Sequence, residues 1–208
     1  MKAIHDAIMD ICLTLSEDGE EEARKVLKRE CPFNRRAVIK IPKCHCSPQD
    51  RKAVAMNIWR GDLTLKMKVF SRDGFINRFT GEPVIFPAVL RLLSEKFSMD
   101  FPFHEFWAEG EMHQAYYLTG ACTALIIPQS RGGESNESNM LTTTFPFVLA
   151  RSDLTPDEAG WRMTREGFVD EWDGMSSWYV DYVKENPDWR KINFFNLWYN
   201  AARQTLKL

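Results

Sequence analysis

No run in this sequence approaches the roughly 18 uncharged apolar residues that a membrane span requires. The opening Met1-Lys2-Ala3-Ile4-His5-Asp6 meets charge too soon for a secretory leader. A cytoplasmic chain with no membrane partner is the expectation. Positive charge is not in surplus either: 27 Lys and Arg against 29 Asp and Glu give a net charge of −2, so no global field advertises a polyanion partner. Any nucleic-acid surface must be a local patch. The five cysteines, Cys12, Cys31, Cys44, Cys46 and Cys122, form an odd and scattered set, which excludes the dense, even framework of a small secreted domain. Histidine is scarce, with only His5, His45, His104 and His113. Repeats, Gly/Ser linkers and abrupt composition shifts are also lacking, so the 208 residues read as one continuous unit.

What is present is strong apolar periodicity. Ile4, Ile8, Ile11 and Leu15 make one helical stripe, and Ala23, Val26, Leu27 and Cys31 a second, with a break over Ser16 to Glu20. Pro32 stops the second helix. A third is expected from Ser47-Pro48 to about Arg60. Leu63, Leu65, Met67 and Val69 alternate with Thr64, Lys66 and Lys68, which predicts a half-exposed strand. Turn chemistry follows at Arg72 to Phe75 and again at Thr80 to Pro83. Helices are expected over Pro87 to Phe97 and Glu105 to Leu118. The apolar runs Ala124 to Pro128 and Met140 to Thr142 predict a hairpin followed by a short helix. Thr155-Pro156-Asp157-Glu158 has the form of a capping box and predicts another helix. Ser176 to Glu185 and Asp188 to Leu206, split by Asn186-Pro187, carry aromatic stripes that suit core packing, a partner surface or a base-stacking platform.

Several groups invite a chemical reading. Cys44-His45-Cys46 with Cys31 upstream offers soft ligands for structural zinc, without the usual two-to-four-residue spacer. Arg35, Arg36, Lys40, Lys43, Arg51 and Lys52 gather positive charge, either as a phosphate-binding patch or as a solvated face. Arg131-Gly132-Gly133 suits either phosphate contact through the arginine and loop N–H groups or a tight loop that needs glycine. Asp170-Glu171 with Asp173 reads as a solvated acidic turn.

The order of short blocks between about residues 69 and 161 resembles small bacterial HNH endonucleases of the ββα-metal type. The blocks are Arg72-Asp73-Gly74-Phe75, Arg78-Phe79-Thr80-Gly81, Phe86 to Leu93, Phe101-Pro102-Phe103-His104 with Trp107, and His113 to Tyr117. They continue through Ile126 to Gly133, Ser138 to Thr143 and Leu154 to Trp161. In that family an Asp-His pair precedes the Ile-Ile-Pro block: the histidine takes a proton from the attacking water, and the aspartate helps hold a divalent ion on the scissile phosphate. The matching positions here are Ala124 and Leu125, and the metal-side Asn or His of the helix falls at Val148. None of these side chains accepts a proton or binds a metal. Arg151 and Asp153 stand where relatives often have Lys and Asn. Asn139 is retained, and the resemblance gives it the role of pinning the hairpin loop.

The resemblance therefore implies a kept scaffold with deleted chemistry. The expected fold is α+β: a ββα-metal, HNH-like hairpin-helix core at 122–151, a small additional strand region near 63–86, and surrounding helices. One domain is expected over 1–208, with N-terminal helices to 61, the family-like part over 62–161 and C-terminal helices from 162. The leading function is a non-catalytic protein that binds DNA or a partner protein in a regulatory or defence-related role, through Arg131, Gly132, Gly133, Arg151, Lys43 and Arg51. One alternative is an active metal-dependent endonuclease with a relocated site, for which His104 and His113 are the fallback catalytic residues. The other is a purely protein-binding inhibitor or immunity-type module. No cofactor is expected; a divalent metal belongs only to the active-nuclease alternative, and zinc only to the Cys31, Cys44 and Cys46 set.

Overall fold

The computed structural model describes residues 2–40, 42, 52–54 and 58–207. Two helices, α1 (Ile4–Glu17) and α2 (Glu20–Glu30), pack as an antiparallel pair joined at Asp18-Gly19. Each buries the expected stripe: Ala7, Ile8, Ile11, Cys12 and Leu15 on α1, and Ala23, Val26 and Leu27 on α2. Of the helix expected from Ser47 to about Arg60, 47–51 and 55–57 lie outside the described residues; 52–54 are helical, whereas 58–60 are turn and irregular backbone, so the helix does not extend to Arg60.

The stretch expected as a strand is a helix, α3 (Leu63–Arg72). Asp62 caps it, its carboxylate accepting from Leu65 N at 2.9 Å. Leu, Lys and Met all favour helix, and only Thr64 and Val69 are β-branched. Met67 and Phe70, three residues apart, are fully buried. Lys66, read as a solvent-facing alternate of a strand, instead turns inward (see below). The turn region after α3 contributes two isolated bridges, Ile76 with Pro83 and Ile85 with Gly120. This is what exists of the additional strand region.

After α4 (Pro87–Lys96) the expected long aromatic helix shrinks to α5 (Gln114–Thr119), because residues 105–112 run through turns with Trp107 at φ 53°. His113 then caps α5, its Nδ1 accepting from Ala115 N at 3.2 Å. The hairpin forms, with its first strand three residues earlier than the expected run: β1 (Ala121–Leu125) pairs antiparallel with β2 (Met140–Thr144), Ala124 facing Leu141 and Leu125 facing Met140, while Ile126 to Pro128 already belong to the loop. Helix α6 (Phe145–Arg151) begins directly where β2 ends, with Pro146 in its first turn. The capping box at Thr155 forms: Glu158 accepts from Thr155 N at 2.9 Å and Thr155 Oγ1 from Glu158 N at 3.3 Å. It caps turns rather than a helix, since Gly160 follows within one turn at φ 72°.

Two C-terminal helices, α7 (Ser176–Glu185) and α8 (Asn193–Leu206), close the structure across a short 3-10 segment at Pro187–Lys191. Their aromatics enter the core. Phe86 meets Tyr179 edge-on at 5.4 Å and Trp198 at 5.2 Å, and Phe70 stacks on Trp198 at 6.4 Å. Such pairs add about 0.5–1.5 kcal/mol each beyond their burial. The whole is a mixed α+β structure with one two-stranded sheet among the described residues. None of the described helices is long and apolar enough to cross a membrane.

A buried charge network fastens the hairpin to this helical frame. Asp73 is fully buried; its Oδ1 takes Arg72 Nε and Arg78 Nη1, both at 2.9 Å, and its Oδ2 accepts from Thr142 N on β2 at 2.7 Å. Arg72 also donates to the carbonyls of Glu137 and, at 2.7 Å, Met140. The end of α3 thereby sets the position of β2, which in turn sets β1 and α6.

Candidate functional site

The hairpin, α6 and α3 enclose a cleft of about 820 Å³. Ala124 and Leu125 of β1, Met140 of β2 and Val148 of α6 give it apolar walls. The three positions where the family resemblance demands a base and metal ligands thus face one space, and all three are hydrocarbon. Among the described residues no group of three His, Cys, Asp or Glu side chains is gathered to hold a metal. Lys66 and Arg151 supply the positive charge in the lining, with Asp153 as the acidic member and Ser130, Gln129 and Ser135 as neutral polar ones.

Lys66 reaches the cleft because α3 is a helix. On a helical wheel it shares a face with Leu63 and Phe70, three before and four after, whereas in a strand it would have pointed to water. Its Nζ donates to the Ile58 carbonyl at 3.0 Å and to Thr123 Oγ1 at 3.2 Å, which leaves one of three N–H donors without a partner among the described residues. Burial pulls its pKa below the usual lysine value. Sequence reasoning missed this residue, and the signal was that helical face.

Arg151, the last residue of α6, is only 4% exposed. Among the described residues its Nη1 has no hydrogen-bond partner. Burial lowers its pKa, and nearby Asp153 opposes that shift. Asp153 is itself exposed and accepts from Ser130 Oγ at 3.1 Å. A buried donor left unpaired costs about 1–3 kcal/mol, more when charged. A ligand oxyanion would offset that cost.

The loop between the strands is built for closure. Asn139 donates from Nδ2 to the carbonyls of Ile127 (3.0 Å) and Glu134 (2.9 Å), and its Oδ1 accepts from Ile127 N at 2.8 Å. A Cβ on Gly133 would sit 1.9 Å from the Ile127 carbonyl oxygen, so glycine is required there by close packing. Gly132 is open on all sides at φ 81°. Arg131 is not in the cleft's lining. Its Nη1 donates to both carboxylate oxygens of Glu158, at 2.6 and 2.7 Å. That bond, with those from Thr155, holds the exposed Glu158 carboxyl down at about 2.

The remaining candidates lie elsewhere. His113 is fully buried, stacked on Phe101 at 4.0 Å, with Nε2 donating to the Cys31 carbonyl at 3.0 Å and Nδ1 occupied by its cap. Burial pushes it down to about 4, so it is neutral at physiological pH. His104 caps its own turn, Nδ1 accepting from Phe106 N and Ala108 N, with Nε2 3.3 Å from Glu111. Neither histidine lines the cleft. Cys31 is buried, and burial pushes its thiol up to about 12. Its zinc partners Cys44 and Cys46 fall outside the described residues, as do Lys43 and Arg51 of the basic segment. Of that segment, Arg35, Arg36, Lys40 and Lys52 are exposed, Lys52 lying over the Phe106 ring at 4.2 Å. In the acidic turn, Asp173 is spent on capping α7, accepting from Ser177 N at 2.7 Å.

No family model, curated protein or solved structure matches the chain.

Proposed function

We propose that this chain is a non-hydrolytic relative of the HNH endonucleases that binds DNA, with a regulatory or defence-related role. The observation that carries the reading is the content of the hairpin-helix cleft: Ala124, Leu125 and Val148 line it together with Lys66 and Arg151. Such a space has charge for a phosphate, and the positions that the resemblance assigns to the base and the metal ligands hold only hydrocarbon; the one carboxylate among its described lining residues, Asp153, accepts from Ser130 Oγ. A positioned general base contributes roughly 100- to 10,000-fold, and metal coordination several kcal/mol more. Loss of both removes hydrolysis by this route while leaving anion binding intact. Duplex contact draws on the exposed Arg35, Arg36, Lys40 and Lys52, and strand ends on the cleft cations, rather than on Arg131, which Glu158 neutralises.

The test is incubation of the purified protein with supercoiled plasmid and Mg²⁺, Mn²⁺ or Zn²⁺, alongside a gel shift on the same DNA. The expected result is a shift that weakens steeply with salt, since each neutralised phosphate adds about −0.9 to the slope of log K against log salt, and no nicking. Nicking that chelation abolishes would overturn the reading. A protein partner is the second reading, favoured by Phe168 and Met163, which stand 69% and 48% exposed on the segment before α7. It is marked by binding that salt scarcely alters.

A further inference from the structure

The burial of Arg151 bears on which phosphate the cleft can take. Arg151 is nine-tenths buried, so a phosphodiester within a duplex, flanked by sugars on both sides and lying on the helix surface, does not reach it. A phosphate with only one substituent presents three free oxygens on a smaller cross-section, the form best able to approach so buried a side chain. We propose that the cleft holds a terminal phosphate, a phosphomonoester on a mononucleotide or at the end of a DNA strand, gripped by Arg151 and Lys66; the strand-end source rests on the DNA-binding reading above.

Four features support this occupant. Arg151 offers an unpartnered N–H donor, and a guanidinium can present two parallel donors to one phosphate. Among the described residues, Lys66 retains one donor after Ile58 and Thr123 are served. Two cations outnumber the one carboxylate among the described lining residues, the exposed Asp153, whose Oδ1 accepts from Ser130. The walls of Leu125, Met140 and Val148 provide apolar surface for a sugar or base face, and about 820 Å³ is room for a mononucleotide.

The experiment measures binding of inorganic phosphate, AMP, adenosine and short single strands with either a 5′-phosphate or a 5′-hydroxyl end to the full chain. The expected result is that AMP binds at least about tenfold more tightly than adenosine, and the phosphorylated strand similarly exceeds its hydroxyl counterpart, as one charge-assisted contact warrants. AMP and the phosphorylated strand should compete. Arg151→Gln should abolish the phosphate preference, and Leu125→Trp, which narrows the cleft while keeping both cations in the chain, should weaken it; Lys184→Gln, an exposed cation on α7, should leave it unchanged. Equal binding of both strands, with AMP no better than adenosine, would overturn the terminal-phosphate site while leaving DNA binding standing. Tight AMP binding with no strand bound would uphold the site and overturn the DNA reading. Failure of every probe, with the protein folded by circular dichroism, would overturn both.

Discussion

Acidification should destabilise this protein through His113 well before its carboxylates protonate. The ring is fully buried between Phe101 and Phe33, with both nitrogens engaged, one as acceptor and one as donor. Protonating Nδ1 would turn the α5 cap from acceptor to donor against Ala115 N and place a charge in an apolar stack. The folded-state value is therefore about 4 against 6.5 for the free side chain. The unfolded chain binds the proton first as pH falls. Stability is full above about pH 6.5 and is lost progressively toward about pH 4. With these two values, the loss between about pH 7.5 and about pH 5 is about 2 kcal/mol, from 1.36 kcal/mol per pK unit. Urea unfolding at those two pH values measures it, with His113→Asn as the reference. Asparagine keeps a cap acceptor and does not titrate, so the variant starts less stable for want of the stacked ring, and the gap should narrow by about 2 kcal/mol on acidification. A gap that stays constant would refute the reasoning, and would mean that the ring accommodates its proton where it sits.

Three further outcomes follow from named contacts. Asp73→Asn should cost about 1–3 kcal/mol in urea unfolding, because Arg78, 8% exposed, loses its buried counter-charge and keeps only the exposed Glu166 at 2.8 Å, while Thr142 N loses a carboxylate acceptor. Asn139→Ala removes three hydrogen bonds across the hairpin loop and should cost about 2 kcal/mol, with the Ile127 amide losing protection in hydrogen exchange. Arg151→Met should raise the melting temperature of the ligand-free protein by several degrees, about 2–4 °C per kcal/mol for a chain of this size, because it removes a buried charge whose Nη1 has no hydrogen-bond partner among the described residues.

Local signals made much of the fold legible. The paired N-terminal helices follow from two clean apolar stripes, and the hairpin passing into α6 follows from two apolar runs around a polar glycine loop. What misled was local pattern without its tertiary context. Leu63 to Val69 alternates as a strand should, yet Asp62 starts a helix and Met67 with Phe70 bury its face. The capping box at Thr155 is real, and the turn it caps goes nowhere because of Gly160. For the site, the hydrocarbon positions 124, 125 and 148 were readable as a set, and Arg151 was among the residues singled out. Lys66 was hidden by the wrong period, and the Glu158 partner of Arg131, 27 residues away, had no local sign at all.

The Asp73 network also governs the irregular stretch between α6 and α7. Residues 152–175 hold no helix or strand, a length at which chain entropy ordinarily favours disorder. Midway along, the Thr164 amide donates to the Arg78 carbonyl at 2.7 Å, the Arg78 guanidinium returns two bonds to the Thr164 carbonyl, and Gly167 N donates to the Asp73 carbonyl at 3.0 Å. One long loop becomes two short ones, each closed independently, and the ring-closure cost rises only as the logarithm of each half's length. A peptide inserted after Asp157 should therefore be absorbed by the first half alone, leaving the second half, with Phe168 and the start of α7, in register.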